Sequence, residues 1–169
     1  NRQVSGMSES ITASRQAGMS VVRGRLLWLR DDPFLVNPAD ALMHEADGVL
    51  ICRDGVIEAI GDWNDLCQRI PPDVSVQHWP DALIVPGFID CHVHYVQTGI
   101  IGACGAQLLD WLQRYTFPAE QQFADKAHAA ATARVFCDEL LRNGTASAQV
   151  FAAVYPQSVD ALFEEAQHR

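Results

Sequence analysis

The stretch Leu83-Ile84-Val85-Pro86-Gly87-Phe88-Ile89-Asp90-Cys91-His92-Val93-His94-Tyr95 is mostly apolar up to its polar end. A short apolar run of this kind, followed by helical material rather than by a hairpin, predicts a strand buried on both faces and hence a parallel α/β unit. Side chains alternate with period two along a strand, so His92 and His94 project from one face, close enough for both imidazoles to reach one ion. Two neutral imidazoles suit zinc or iron, and a catalytic ion needs further ligands plus an open position for water. Asp90, on the same face, is a candidate acceptor for one of the rings.

Downstream, Leu108, Leu109, Trp111, Leu112 and Tyr115 recur at helical spacing. A helix is then expected from Pro118 through Phe123, Ala127, Ala130, Val135, Phe136 and Leu140 to Gly144, with Pro at its start and Gly past its end. Residues 145–155 read as a second strand. Residues 156–169 read as a second helix, with Ser158 as its cap, Asp160 in its first turn, and Glu164 and Glu165 on a solvated face. The order strand, helix, strand, helix spans residues 84–169.

Upstream the character differs. Val49 and Ile51 precede the turn pair Asp54-Gly55, and Val56, Ile57 and Ile60 follow it, which predicts an antiparallel hairpin. A short helix starting near Trp63 stops at Pro71-Pro72. Residues 21–83 therefore read as part of a small β-sandwich, with too little sequence for a robust core of its own. Residues 1–20 carry no sustained periodicity and no apolar segment of signal-peptide length, and read as a leader or flexible tail, with Met19 the expected natural start and a transit peptide the competing reading.

Composition narrows the function classes. The 169 residues are 49% hydrophobic and 20% charged, with no apolar run near the roughly 20 residues of a membrane span. A membrane-spanning protein and wholesale disorder are both excluded. A net charge of -9 argues against nucleic acid as partner, because phosphate binding is driven by Lys and Arg. Five of the 12 basic residues lie within the first thirty positions, so the body of the chain is more acidic still. The five cysteines are odd in number and form no CxxC pair, which predicts a reducing, cytoplasmic setting and neither a disulfide framework nor a cysteine zinc site.

The run from Pro86 to His94 resembles the first barrel strand of the amidohydrolase superfamily. The continuation Tyr95-Val96-Gln97 and the segment from Gln107 to Glu120, QLLDWLQRYTFPAE, are similar to the guanine deaminase branch of it, as is the later segment from Asn143 to Ala166. The fold class this resemblance implies is α/β: the first two strand-helix units of a metal-dependent hydrolase barrel of TIM type, beside part of an N-terminal β-sandwich. It implies Zn2+ as cofactor, His92 and His94 as two of its ligands, Gln97 as a hydrogen-bonding contact to guanine, and Trp111 as a pocket wall. A Trp on a Leu-rich helix face serves equally well as core, so Trp111 keeps both readings. The activity implied is hydrolytic deamination of guanine to xanthine and ammonia, with a homodimer as the intact enzyme.

A barrel of eight such units needs roughly 250 residues. The superfamily's other zinc ligands and its catalytic acid and base come from later strands, which nothing here matches. The chain is accordingly expected to be an N-terminal fragment, to contain no catalytic residue of its own, and to show negligible activity alone. Other aminohydrolases or chlorohydrolases, acting on pterins, triazines or cytosine, and a non-catalytic structural piece are the rival readings.

Overall fold

The computed structural model describes residues 18–169, as two compact units divided between Pro86 and Gly87. Of the leader expected over residues 1–20, residues 1–17 lie outside the described residues, while Met19 and Ser20 open the first strand. The fold is mixed α/β.

The first unit is a four-stranded sheet in the order β3-β2-β1-β4. It is made of β1 (Met19–Leu29), a one-turn helix α1 (Pro38–Ala41), β2 (Leu42–Arg53), β3 (Val56–Asp62), α2 (Trp63–Leu66) with a 3₁₀ turn behind it, and β4 (Val76–Ile84). β1 and β3 flank β2 antiparallel, and β4 runs parallel to β1 at the edge. The hairpin predicted at Asp54-Gly55 is present. Both residues have positive φ, 51° and 82°, the backbone of the turn whose twist matches paired strands. Pro80 lies in β4 where the register jumps from Gly24 opposite Trp79 to Arg25 opposite Leu83. Pro has no N–H for a ladder, and an edge strand with such an irregularity tolerates it. Val21, Val49 and Ile51 form the buried centre.

Arg23 and Asp47 form a forked ion pair on this unit, at 2.7 and 2.6 Å, and the guanidinium lies 4.0 Å over the Trp63 ring. The hydrogen bonds from Arg23 hold the Asp47 carboxyl below the usual carboxylate range. A carboxyl depressed on folding stabilises the folded state above its unfolded pKa, and that contribution is lost as pH falls through the lower, folded value. Acid unfolding of the wild type, followed by far-UV circular dichroism, is therefore expected to steepen below the ordinary carboxylate range. Asp47→Asn is expected to remove that part of the pH dependence and leave the neutral-pH fold in place; identical acid profiles would contradict the coupling.

The second unit begins with β5 (Phe88–His94), paired parallel to β6 (Thr145–Phe151). Between them come a 3₁₀ segment (Tyr95–Ile100), α3 (Leu108–Trp111), α4 (Phe117–Gln121) and α5 (Lys126–Arg142), and α6 (Pro156–Ala166) closes the unit. Tyr95, Val96, Phe123, Ala129, Ala133, Phe136, Cys137, Ala161 and Leu162 make one buried cluster, in which β5's exit, α5 and α6 meet.

Four local expectations are corrected. The helix expected to run from Pro118 to Gly144 is broken after Gln121, and α5 starts afresh at Lys126 with Asp125 as cap, its carboxylate accepting from Ala127 N. The chain is already helical before Pro118. Pro118 has no N–H for the carbonyl four residues back, and the preceding turn, Leu112–Thr116, widens to a π-type turn in which Phe117 N bonds Leu112 O. Ser158 does not cap α6: Tyr155 is the cap, Pro156 fills the first turn, and the buried Ser158 hydroxyl donates to Tyr155 O at 2.7 Å. Asp160 consequently falls beyond the first turn.

Glu165 is not on a solvated face but 9% exposed, accepting from Arg134 and Arg169 at 3.2 and 3.3 Å, while Glu164 stays exposed and pairs with Lys126. The fourth correction concerns β5, which was expected to be buried on both faces. Phe88 and Ile89 are 62% and 72% exposed, because β6 is the strand's one neighbour among the described residues.

Candidate functional site

The end of β5 departs from a regular ladder. Asp90 pairs with Ala148 and Val93 with Val150, so three steps on β5 face two on β6. This is a bulge, which leaves a residue unpaired and re-aims its neighbours. The Asp90 carboxylate takes up the freed backbone N–H of His92 at 3.0 Å. Asp90 thus holds the strand rather than an imidazole ring, which corrects the role considered for it from the sequence.

Beyond the bulge the two imidazoles converge. Nε2 of His92 and Nε2 of His94 lie 3.2 Å apart, as period-two alternation requires of rings on one face. Phe151, opposite His94 in the ladder, packs against both rings. Its centroid is 4.7 Å from that of His94 at an interplanar angle of 14°, and 4.5 Å from that of His92. The sequence reading missed Phe151, which the β5-β6 register sets beside the last residue of β5 and which no spacing within either strand marks.

The 3₁₀ turn that follows brings residues three apart onto one side. Gln97 accordingly returns toward His94, with Nε2 at 3.5 Å from Nδ1, and donates to Glu120 Oε1 of α4 at 3.2 Å. Trp111 sits at the end of α3, and its Nε1 donates to Ala103 O at 2.9 Å. Gly105 permits that approach: a Cβ there would lie 2.8 Å from Trp111 Cβ and 2.9 Å from its backbone.

The end of β5 and the turn after it border a cavity of about 500 Å³. His92, His94, Gln97 and Trp111 all border it, so the four sequence-derived candidates share one space. Phe136, Glu139 and Asn143, from α5 and the residue after it, border it as well. The sequence reading assigned none of these three to the site, since helix spacing alone does not say which helix face meets a strand end.

The imidazole pair fits a metal ion. Two nitrogen ligands about 2.0–2.1 Å from one ion, at a tetrahedral angle, stand about 3.4 Å apart, and the observed separation is 3.2 Å. Without an ion the same distance suits a hydrogen bond, one ring donating its N–H to the other's lone pair. Among the described residues no cluster of three or more His, Cys, Asp and Glu is placed to hold an ion, so catalytic coordination requires donors beyond those gathered here.

Comparison with known proteins bears on this geometry. The guanine deaminase of Escherichia coli K12 is 46% identical over 130 residues, which is 77% of this chain and 30% of that protein. A probable guanine deaminase of Deinococcus radiodurans is 37% identical over 155 residues, covering 89% of this chain and 35% of that one. The solved structure of the E. coli guanine deaminase superimposes with a TM-score of 0.78 at 42% identity, over 88% of this chain and 35% of that structure. The chain thus spans about a third of the length of the relatives it matches. The amidohydrolase family profile matches residues 83–169, which takes in β5 with its two histidines, the Gln97 turn, β6 and the helices of the second unit. A profile that covers just over half of the chain and contains every candidate ligand places this protein in the amidohydrolase family.

Proposed function

We propose that the chain supplies the opening strand-helix units of a metal-dependent hydrolase barrel that deaminates guanine hydrolytically to xanthine and ammonia. In this reading residues 84–169 belong to the barrel and residues 21–83 to a β-sandwich beside it. The observation that carries the reading is the pair of Nε2 atoms 3.2 Å apart at a cavity that Gln97 and Trp111 also line, in a chain 46% identical to the E. coli enzyme over 130 residues.

His92 and His94 would hold Zn2+, each through Nε2, in a family that is generally metal-dependent. When bound there, such an ion supplies Lewis-acid activation of water near neutral pH. The chain's own side chains provide position. Phe151 packs against both rings and restricts their rotation. Gln97 offers an amide that both donates and accepts, as a purine edge requires. Trp111, held by its bond to Ala103 O, presents a flat apolar wall to a heterocycle. The cavity volume lies within the range of small-molecule sites, about 300–1,000 Å³. A cytoplasmic setting accords with five free cysteines, and a homodimer is carried over from the family resemblance.

A graft tests the reading. The segment of this chain that matches the E. coli enzyme is exchanged for its counterpart there, and ammonia release is measured over a panel of guanine, adenine, cytosine, a pterin and a triazine. The graft is expected to deaminate guanine first and fastest, and the zinc-loaded 169 residues alone to release no measurable ammonia. A graft that folds and prefers another member of the panel would sink the guanine assignment.

A further inference from the structure

The geometry points to Glu120 as a positioning residue that fixes which side of its amide Gln97 presents to the cavity. The ligand's part in this rests on the proposed purine reading; the contact itself does not. Gln97 Nε2 lies 3.2 Å from Glu120 Oε1. An ionised carboxylate only accepts, so the amide nitrogen, and not its oxygen, has to face it. The amide is planar, and committing its nitrogen to Glu120 turns Oε1 away from the carboxylate. Gln97 lines the cavity and Glu120 does not, so Glu120 acts through Gln97.

Both side chains are half-buried, and a hydrogen bond to a charged acceptor is roughly twice as strong as a neutral one. The approach of Gln97 Nε2 to His94 Nδ1, at 3.5 Å, lies at the limit of hydrogen bonding and commits nothing, because a His94 that offers its Nε2 lone pair to a metal carries its proton on Nδ1. Neither contact engages Oε1. The oxygen is left free to accept from a ligand bearing an N–H at that point, while the second N–H of the amide stays a donor. A guanine ring N–H or its exocyclic amine meets that requirement, whereas a ring nitrogen bearing a lone pair is repelled by that oxygen.

The test is nuclear magnetic resonance on the uniformly ¹³C,¹⁵N-labelled 169-residue chain, with the Gln97 side-chain NH2 pair assigned by its loss in Gln97→Glu. One proton of the pair is expected downfield of a free amide and slowed in exchange. Glu120→Ala is expected to return it to the free position and to speed its exchange about tenfold. Glu120→Gln keeps an acceptor oxygen and the shape, and is expected to retain part of the shift. Circular dichroism confirms that each variant is folded. A Gln97 pair that is the same in the wild type and in both Glu120 variants would overturn the proposal.

Guanine added to the wild type is expected to move the Gln97 side-chain carbonyl ¹³C resonance, and to move it less in Glu120→Lys, where a donor replaces the acceptor. An amide that responds to Glu120 while guanine leaves the carbonyl unmoved upholds the positioning contact and sinks the purine reading alone.

Discussion

Replacing either His92 or His94 with alanine is expected to abolish divalent-metal binding by this chain. The expectation follows from how few donors converge: two imidazole nitrogens 3.2 Å apart, with no third His, Cys, Asp or Glu placed to join them among the described residues. A two-nitrogen chelate owes its affinity to both donors reaching the same ion, so a single truncation leaves one lone imidazole. The remaining His then competes with water on no better terms than any surface histidine.

The measurement is titration with Zn2+ by calorimetry and with Co2+ by visible absorbance, on wild type, His92→Ala, His94→Ala and the control His168→Ala. The wild type and the control are expected to share one weak site, and the two single variants to lose it, a drop of at least about tenfold in affinity, since a lost ligand costs no less than the 10–100-fold of a lost supporting contact. Phe151→Ala is expected to fall between them, because it keeps both donors and removes the ring that packs on them at 4.5 and 4.7 Å. Equal binding by all variants would move the metal elsewhere and deprive the proposed hydrolase reading of its ligands.

The legible parts of this structure were those fixed by local periodicity. His92 and His94 share a face because strand side chains alternate, and the Asp54-Gly55 hairpin forms because both residues accept positive φ. What the sequence reading lost depended on partners distant along the chain. Phe151 reaches the histidines through the β5-β6 register, 57 residues after His94, and no spacing rule in either strand encodes it. Glu165 looked solvated because its partners Arg134 and Arg169 come from another helix and from beyond its own.

The break at Asp125 was hidden for a different reason. Phe123, Ala127 and Ala130 keep helical spacing straight across it, so periodicity alone carried the expected helix through a capped start. The exposure of Phe88 and Ile89 marks the converse limit: an apolar run states how much burial a strand tolerates, and the neighbours present decide how much it receives.

Tyr95→Ala is expected to cost the second unit about 3–5 kcal/mol, as large aromatic truncations in packed cores do. Tyr95 is fully buried, and its ring meets Phe123 edge-on at 5.2 Å and Phe136 at 5.9 Å. Its hydroxyl donates to Ser158 O in the first turn of α6, and burial pushes the phenol's pKa up, so the donor proton stays in place at any pH near neutral. One side chain therefore joins the exit of β5 to α5 and α6. Because Tyr95 directly follows His94, loosening it also frees the backbone that aims the second imidazole.

Two variants separate packing from the hydrogen bond. Tyr95→Phe keeps the ring contacts and removes only the O–H, and is expected to lose about 1–2 kcal/mol while preserving metal affinity. Tyr95→Ala is expected to lose both stability and the shared metal site. Urea unfolding followed by the fluorescence of Trp111, the second unit's one tryptophan, reads stability, and the Co2+ titration reads the site. Stability of Tyr95→Ala within about 1 kcal/mol of the wild type would mean that the cluster closes over the gap without it. The same result with metal binding intact would show that His94 is aimed by the bulge at Asp90 and by Phe151, and owes nothing to the residue that follows it.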